Sequence, residues 1–156
     1  MHDEPASGSH LLTIGYQGRT LPEVVRRLRV RDVRLLVDVR KVARSRRPEF
    51  NHWRLAEALN GAGIEYKHAP ALGSPSSLRR LLYETGDFDR FAGLYLAYVR
   101  RWQMTALAGL TRLVRKNGRV CILCYETDAM SCHRHIVAAE AIRARGGSRL
   151  IVEHIV

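Results

Sequence analysis

Apolar residues fall in short blocks along this chain, and their period switches repeatedly between two residues and about 3.6. Residues 11–14 (LLTI) make a compact run with β-branched members, the mark of a buried strand, and Gly15 and Tyr16 end it. Thr20, Pro22 and Glu23 then fit a capping box: a hydroxyl cap, proline in the first turn, and glutamate three residues after the cap. The helix they open carries Val24, Val25 and Leu28 on one face and turns Arg26, Arg27 and Arg29 mostly outward. Residues 33–39 (VRLLVDV) read as a second strand, and 41–51 (KVARSRRPEFN) as a polar loop too basic and proline-broken to pack. Asn51 is expected to cap a helix that turns Trp53, Ala56 and Leu59 inward and stops at Gly61 and Gly63.

A third strand alternates through residues 64–68, followed by a turn-rich segment at 71–77. Helical periodicity then covers 78–84, 88–102 and 105–116, the last ended by Asn117 and Gly118. Residues 120–124 (VCILC) form the fourth strand, 125–131 a loop, 132–145 a helix closed by Gly146 and Gly147, and 150–155 the last strand. Strands alternating with helices imply a parallel sheet with right-handed crossovers covering both faces. The expected fold is α/β: a single-domain three-layer sandwich with a five-stranded, mainly parallel sheet over residues 10–156, preceded by a disordered tail at 1–9. The simplest winding gives the strand order 3-2-1-4-5. In that order strands one and four lead away on opposite sides, so a crevice opens at their carboxyl ends, where α/β proteins bind ligands.

The composition narrows the class. At 156 residues, 46% apolar and 26% charged, the chain can bury a real core without metal or disulfide staples. No run approaches the roughly 18 apolar residues of a membrane-spanning helix, so no membrane partner is expected. The polar first ten residues lack the apolar stretch of a secretory signal. Cys121, Cys124 and Cys132 are too few and too clustered for a disulfide framework, which points to a reducing, cytoplasmic setting. Charge alters the picture more. Lysine and arginine number 26 against 15 acidic residues, a net charge of +11. Such an excess favours anionic partners, a nucleotide or nucleic acid above all. All but Lys41, Lys67 and Lys116 of these cations are arginines, which coding bias and solvated helix faces would equally produce.

The candidate chemistry lies in residues 124–134 (CYETDAMSCHR) and at the ends of the first two strands. With Ser131 as N-cap, Cys132, His133 and Arg134 would occupy the first turn of the last helix. Free backbone N–H groups there favour an anion and lower a thiol's pKa. Cys124, at a strand end, is the other candidate nucleophile, and Glu126 a general base, a hydroxyl-binding carboxylate or an arginine's partner. The alternative for both thiols is ordinary burial. Cys121 is expected in the core, because three residues along a strand place it on the face opposite Cys124. Zinc on Cys124, Cys132 and His133 is set aside, since a seven-residue gap and an adjacent Cys-His pair do not match usual ligand spacing, and a fourth ligand would have to come from His68 or His135. No cofactor or metal is therefore expected. Alternation pairs Asp38 with Arg40 at the end of the second strand, where a buried carboxylate needs a guanidinium. Lys41, Arg44, Arg46 and Arg47 face only Glu49 in the next loop and suit a phosphate clamp, or simply a solvated loop. Tyr16, Phe50 and Tyr125 offer faces for a base, whereas Trp53 is read as core.

Taken together, Thr13, Ile14, Gly15 and Tyr16 with Gly18 and Arg19, the VDVR of residues 37–40 with Ser45 and Arg46, Leu72 with Gly73, and the CYE of 124–126 through the CHR of 132–134 resemble the domain-of-unknown-function 488 proteins of bacteria and archaea. The resemblance implies a single-domain α/β fold with polar residues gathered round one pocket, and no assigned reaction. A weaker likeness, to rhodaneses and cysteine phosphatases, meets an obstacle. Those families wrap a short anion-cradling loop after the cysteine, and here the loop is longer and carries Glu126 and Asp128, which would repel a persulfide or phosphate.

Three functions of different class remain. In one, an enzyme-like pocket binds an anionic, nucleotide- or nucleic-acid-like ligand through Tyr16, Arg19, Asp38, Arg40, Arg46, His133 and Arg134, with Cys124, Glu126 and Cys132 as catalytic candidates. In the second, a non-catalytic nucleic-acid-binding module uses its arginine-rich surface. In the third, the chain is a structural or protein-interaction domain in which the cysteines are inert. The sequence leaves the oligomeric state open.

Overall fold

The computed structural model describes residues 8–144 and 150–156. The tail expected at 1–9 falls mostly outside these residues, as do Gly146 and Gly147, while Ser9 is already the first residue of a strand. Five parallel strands form one sheet: β1 (Ser9–Gly15), β2 (Leu35–Asp38), β3 (Glu65–His68), β4 (Arg119–Cys124) and β5 (Leu150–His154). Among the described residues six helices connect them: α1 (Leu21–Val30), α2 (His52–Gly61), α3 (Ser76–Thr85), α4 (Phe88–Trp102), α5 (Met104–Asn117) and α6 (Arg134–Ala144). None of the described helices is long and apolar enough to cross a membrane.

The strand order is 3-2-4-1-5, which corrects the expected 3-2-1-4-5. The crossover through α1 does not set β2 beside β1; it skips one position, and β4 fills the gap. Burial explains the choice of tenant. From Val120 to Cys124, β4 is wholly buried, as is β1 from Leu11 to Gly15, whereas Glu65, Lys67 and His68 of β3 are exposed. The most apolar strands take the centre and the polar strand an edge. The reversal survives the correction. The chain leaves β1 toward β2 and leaves β4 toward β5, in opposite directions, so the carboxyl ends of these two neighbours still flank the switch point.

Alternation along the strands divides the apolar core in two. Leu12, Ile14, Leu36, Cys121 and Leu123 pack with Val24 and Leu28 of α1 and Leu55 and Leu59 of α2. Leu11, Leu35, Val37, Ile122 and Cys124 pack with residues of α4, α5 and α6, including Tyr95, Leu107 and Val137. Cys121 and Cys124 thus lie on opposite faces, as their spacing requires.

Local signals hold where they are self-contained. Thr20 caps α1 with both bonds of the capping box in place. Two expectations about burial fail, in opposite directions. Trp53 is 55% exposed, because the buried stripe of α2 runs through Leu55 and Leu59, spaced one turn apart. The 41–51 loop does pack: Pro48–Phe50 form a 3-10 turn, and Phe50 is fully buried against Tyr16 at a ring distance of 4.3 Å. Asn51 stands at the N-cap of α2, but its Oδ1 accepts from the Ser45 backbone N–H and so ties the loop.

Candidate functional site

Gly15 ends β1 against the loop that follows β4. A Cβ at this position would overlap the carbonyl oxygen of Glu126, so only glycine lets the two strand ends close to this distance. Gly73 plays the same part across the crevice, where a Cβ would strike the backbone of Lys41. These approaches draw four segments toward one mouth at the carboxyl ends of the sheet. Between them lies a cavity of about 200 Å³, walled by Tyr16, Arg40, Cys124, Glu126, Cys132 and His133. Lys41, Arg44 and Arg79 stand around it. A larger hollow of about 660 Å³ beside α1 and α2 has, among the described residues, only Arg26 and Arg29 as ionisable lining, and they offer neither nucleophile nor base.

Two of the buried arginines support the cavity, Arg40 on its wall and Arg134 behind it. Asp38 is fully buried and accepts from Arg40 Nε (2.8 Å), Arg40 Nη2 (2.6 Å) and the Tyr66 hydroxyl (2.6 Å). Burial works against the Arg40 charge, but the Asp38 hydrogen bonds and charge outweigh it and hold its pKa above the usual value. The same burial, with the Asp38 charge beside it, pushes the Tyr66 phenol up. Arg40 also donates to the Tyr16 hydroxyl (3.3 Å). Tyr16 and Phe50 are spent on each other, so of the expected stacking faces only Tyr125, 46% exposed, is open.

Arg134 has no exposed surface. Its Nη1 donates to the Cys124 sulfur (3.2 Å) and to the Glu126 carbonyl, its Nη2 to the Thr127 carbonyl (2.9 Å), and its Nε to Thr13 Oγ1 (3.2 Å). It shapes the 124–127 loop rather than facing the cavity. Helix α6 begins at Arg134, so the expected Ser131 N-cap is wrong. Ser131 closes a 3-10 turn, Ala129–Ser131, capped by Asp128, and the Ile136 and Val137 N–H groups donate to the His133 carbonyl. Cys132 and His133 therefore precede the helix instead of lying in its first turn.

The cavity floor holds three soft or borderline donors. The sulfurs of Cys124 and Cys132 are in bonding contact, with their Cα atoms 7.6 Å apart. His133 Nε2 lies 3.0 Å from the Val39 carbonyl, which only accepts; Nε2 thus carries the proton, and the Nδ1 lone pair faces the Cys132 sulfur at 3.7 Å. Burial pushes the His133 pKa down to about 4, against the pull of the Val39 bond. A Glu126 carboxylate oxygen sits 3.7 Å from the Cys124 sulfur.

The structure therefore brings Tyr16, Arg40, Cys124, Glu126, Cys132 and His133 to one cavity and places Asp38 and Arg134 directly behind it. It leaves out Arg19 and Arg46. Arg19 is absent from the cavity wall and donates to the Gly15 carbonyl, and Arg46 is exposed on the loop. Arg79 and Ser74 were missed, since the 71–77 turn and the α3 surface carry no local pattern that marks them. This is an α/β protein whose candidate site occupies the position such folds reserve for ligands. More narrowly, the chain belongs to the family described as Domain of unknown function DUF488, whose model matches residues 20–141. The matched span includes the VDVR, Leu72-Gly73, CYE and CHR positions and excludes those from Thr13 to Arg19. Comparison with curated proteins and with solved structures found no match.

Proposed function

We propose that the cavity binds the phosphate-bearing end of an anionic, nucleotide-like ligand and presents it to Glu126 and the paired cysteines. One observation carries this reading: cations from separate segments, Arg40, Lys41 and Arg44 after β2 and Arg79 from α3, converge on the cavity that also holds the cysteines, His133 and Glu126. Arg40 is held by Asp38, which leaves Lys41, Arg44 and Arg79, without an ion pair among the described residues, to meet phosphate. Size sharpens the substrate class. About 200 Å³ is below the roughly 300 Å³ at which ligand pockets usually begin, so one phosphate or a similar anion enters while the rest of the ligand lies outside, near Tyr125. Glu126 on the same wall repels a phosphate set directly against it, so in this reading the anion sits with Lys41, Arg44 and Arg79 while Glu126 accepts a proton or binds a hydroxyl of the ligand.

The test is calorimetric titration with a nucleoside 5′-monophosphate and with inorganic phosphate, on the parent and on Arg44→Gln, Arg79→Gln and Glu126→Gln. Binding that weakens roughly tenfold or more in either arginine variant, at unchanged melting temperature, supports the pocket. Affinity untouched by both arginine variants rejects it. If single-stranded nucleic acid instead binds with a steep salt dependence and ignores Arg79→Gln and Glu126→Gln, the arginine-rich surface is the functional element.

A further inference from the structure

We infer that Cys124, Cys132 and His133 form a three-ligand site for a borderline-soft divalent cation of the zinc class, with its fourth position open to the cavity. The inference shares the crevice of the proposed function but does not depend on the anion reading. The three donor atoms lie within 4.8 Å of one another and all three residues are buried. Two thiolates and an imidazole are the donor set such a cation prefers, and three protein ligands with one open position is the pattern of reactive zinc sites. His133 is already oriented for the task. Its Nε2–H is fixed on the Val39 carbonyl and its Nδ1 lone pair points at the Cys132 sulfur, the outer contact that metal-bound histidines characteristically make.

Backbone spacing separates this arrangement from a plain cystine. Relaxed disulfides span roughly 4.4–6.8 Å between Cα atoms, and these two stand 7.6 Å apart. A cation about 2.3 Å from each sulfur holds two thiolates roughly 3.7 Å apart in tetrahedral geometry, so metal uptake requires the reduced side chains to turn away from each other. Charge agrees. Arg134 is a buried cation whose Nη1 rests on the Cys124 sulfur, and it forms no salt bridge among the described residues. Two thiolates and the Glu126 carboxylate together balance a dication and this guanidinium. Both histidines that might have supplied a fourth ligand are engaged elsewhere: His68 Nε2 on the Arg40 carbonyl (2.7 Å), His135 Nδ1 on the Ala129 and Cys132 carbonyls. The open position therefore falls to Glu126, water or the bound anion.

The experiment uses the full chain, reduced and kept without oxygen, titrated with cobalt(II) as a spectroscopic probe and with zinc(II) in competition against a coloured chelator. The expected result is one equivalent bound, with thiolate-to-cobalt charge-transfer absorption. That absorption is lost in Cys124→Ser and Cys132→Ser, altered in His133→Gln, and kept in Cys121→Ser, whose thiol lies on the other face of the sheet. Circular dichroism confirms that each variant folds, and His133→Gln decides the matter if a cysteine variant does not. No charge-transfer band in the reduced parent, or a band that survives His133→Gln unchanged, overturns the inference. So does re-formation of a Cys124–Cys132 disulfide in place of metal uptake. Phosphate titration of the metal-free protein and its arginine variants reads the proposed function separately, so either idea can fail alone.

Discussion

The Arg134 guanidinium lies 3.2 Å from the Cys124 sulfur, fully buried, and its other donors end on the Glu126 and Thr127 carbonyls and on Thr13. One side chain thus ties the end of β4, the loop beyond it and the middle of β1. Replacing it by methionine strands buried carbonyls and removes the sulfur's donor. The expected cost is about 3 kcal/mol or more, a fall in melting temperature of roughly 6–12 °C for a chain of this length. Arg134→Lys should recover little, because a lysine cannot reproduce the planar fork that reaches several acceptors at once. Thermal unfolding of the two variants checks both statements; a lysine variant as stable as the parent would show that only the charge matters.

Asp38 and Arg40 supply a second measurable tie. Asp38→Asn leaves the Arg40 charge with 7% exposure and no counterion, and should cost about 3–5 kcal/mol in urea unfolding. Tyr66→Phe removes only a hydrogen bond to the same carboxylate and should cost about 1–2 kcal/mol. The two share one acceptor, so the double variant should lose less than the sum. Additive losses would mean that Tyr66 and Arg40 do not cooperate through Asp38.

The elements legible in the sequence are those whose cause is local. The capping box at Thr20 and Glu23 carries its own hydrogen bonds within one turn, and the apolar runs of β1 and β4 are buried wherever they sit. Strand order is different in kind. Nothing near Leu35 reports that a strand more than eighty residues later will wedge between it and β1, because that choice belongs to the competition among all strands for the centre. The site divides the same way. Asp38 and Arg40 two residues apart, and Cys132 beside His133, are visible as neighbours, whereas Arg79 reaches the cavity only through the packing of α3. Arg19 misled because a cation beside a strand end looks like a ligand group, yet it is turned back onto the Gly15 carbonyl. Trp53 misled because large apolar residues usually go inside, and here the leucines of α2 already fill that face.

Gly15 offers a way to move the loop without touching a polar group. Gly15→Ala places a methyl group into the Glu126 carbonyl, so β1 and the 124–127 loop must part. The expected loss is about 1–3 kcal/mol, the usual cost of overpacking, with altered thiol reactivity at Cys124 because Arg134 is anchored on the displaced carbonyl. Gly61→Ala, with open space around its Cβ, is the control and should be nearly neutral or slightly stabilising. Equal effects at the two glycines would show that the close approach of β1 to the loop has no special role.

A pH dependence follows from the far side of Thr13. Its hydroxyl accepts from Arg134 Nε and lies 2.7 Å from His154 Nδ1, to which it can donate when that nitrogen is unprotonated. Burial lowers the His154 pKa, and the nearby Arg134 charge lowers it further. With the folded value below the unfolded value of about 6.5, the unfolded chain binds the proton more readily in the interval between them. This contribution to stability is complete above about pH 6.5 and is lost as pH falls through the folded pKa. Urea unfolding at about pH 7.5 and about pH 5 should therefore show His154→Gln losing less stability on acidification than the parent. His133 is common to both chains and cancels in the comparison, so parallel losses would mean that His154 keeps the same proton affinity folded and unfolded.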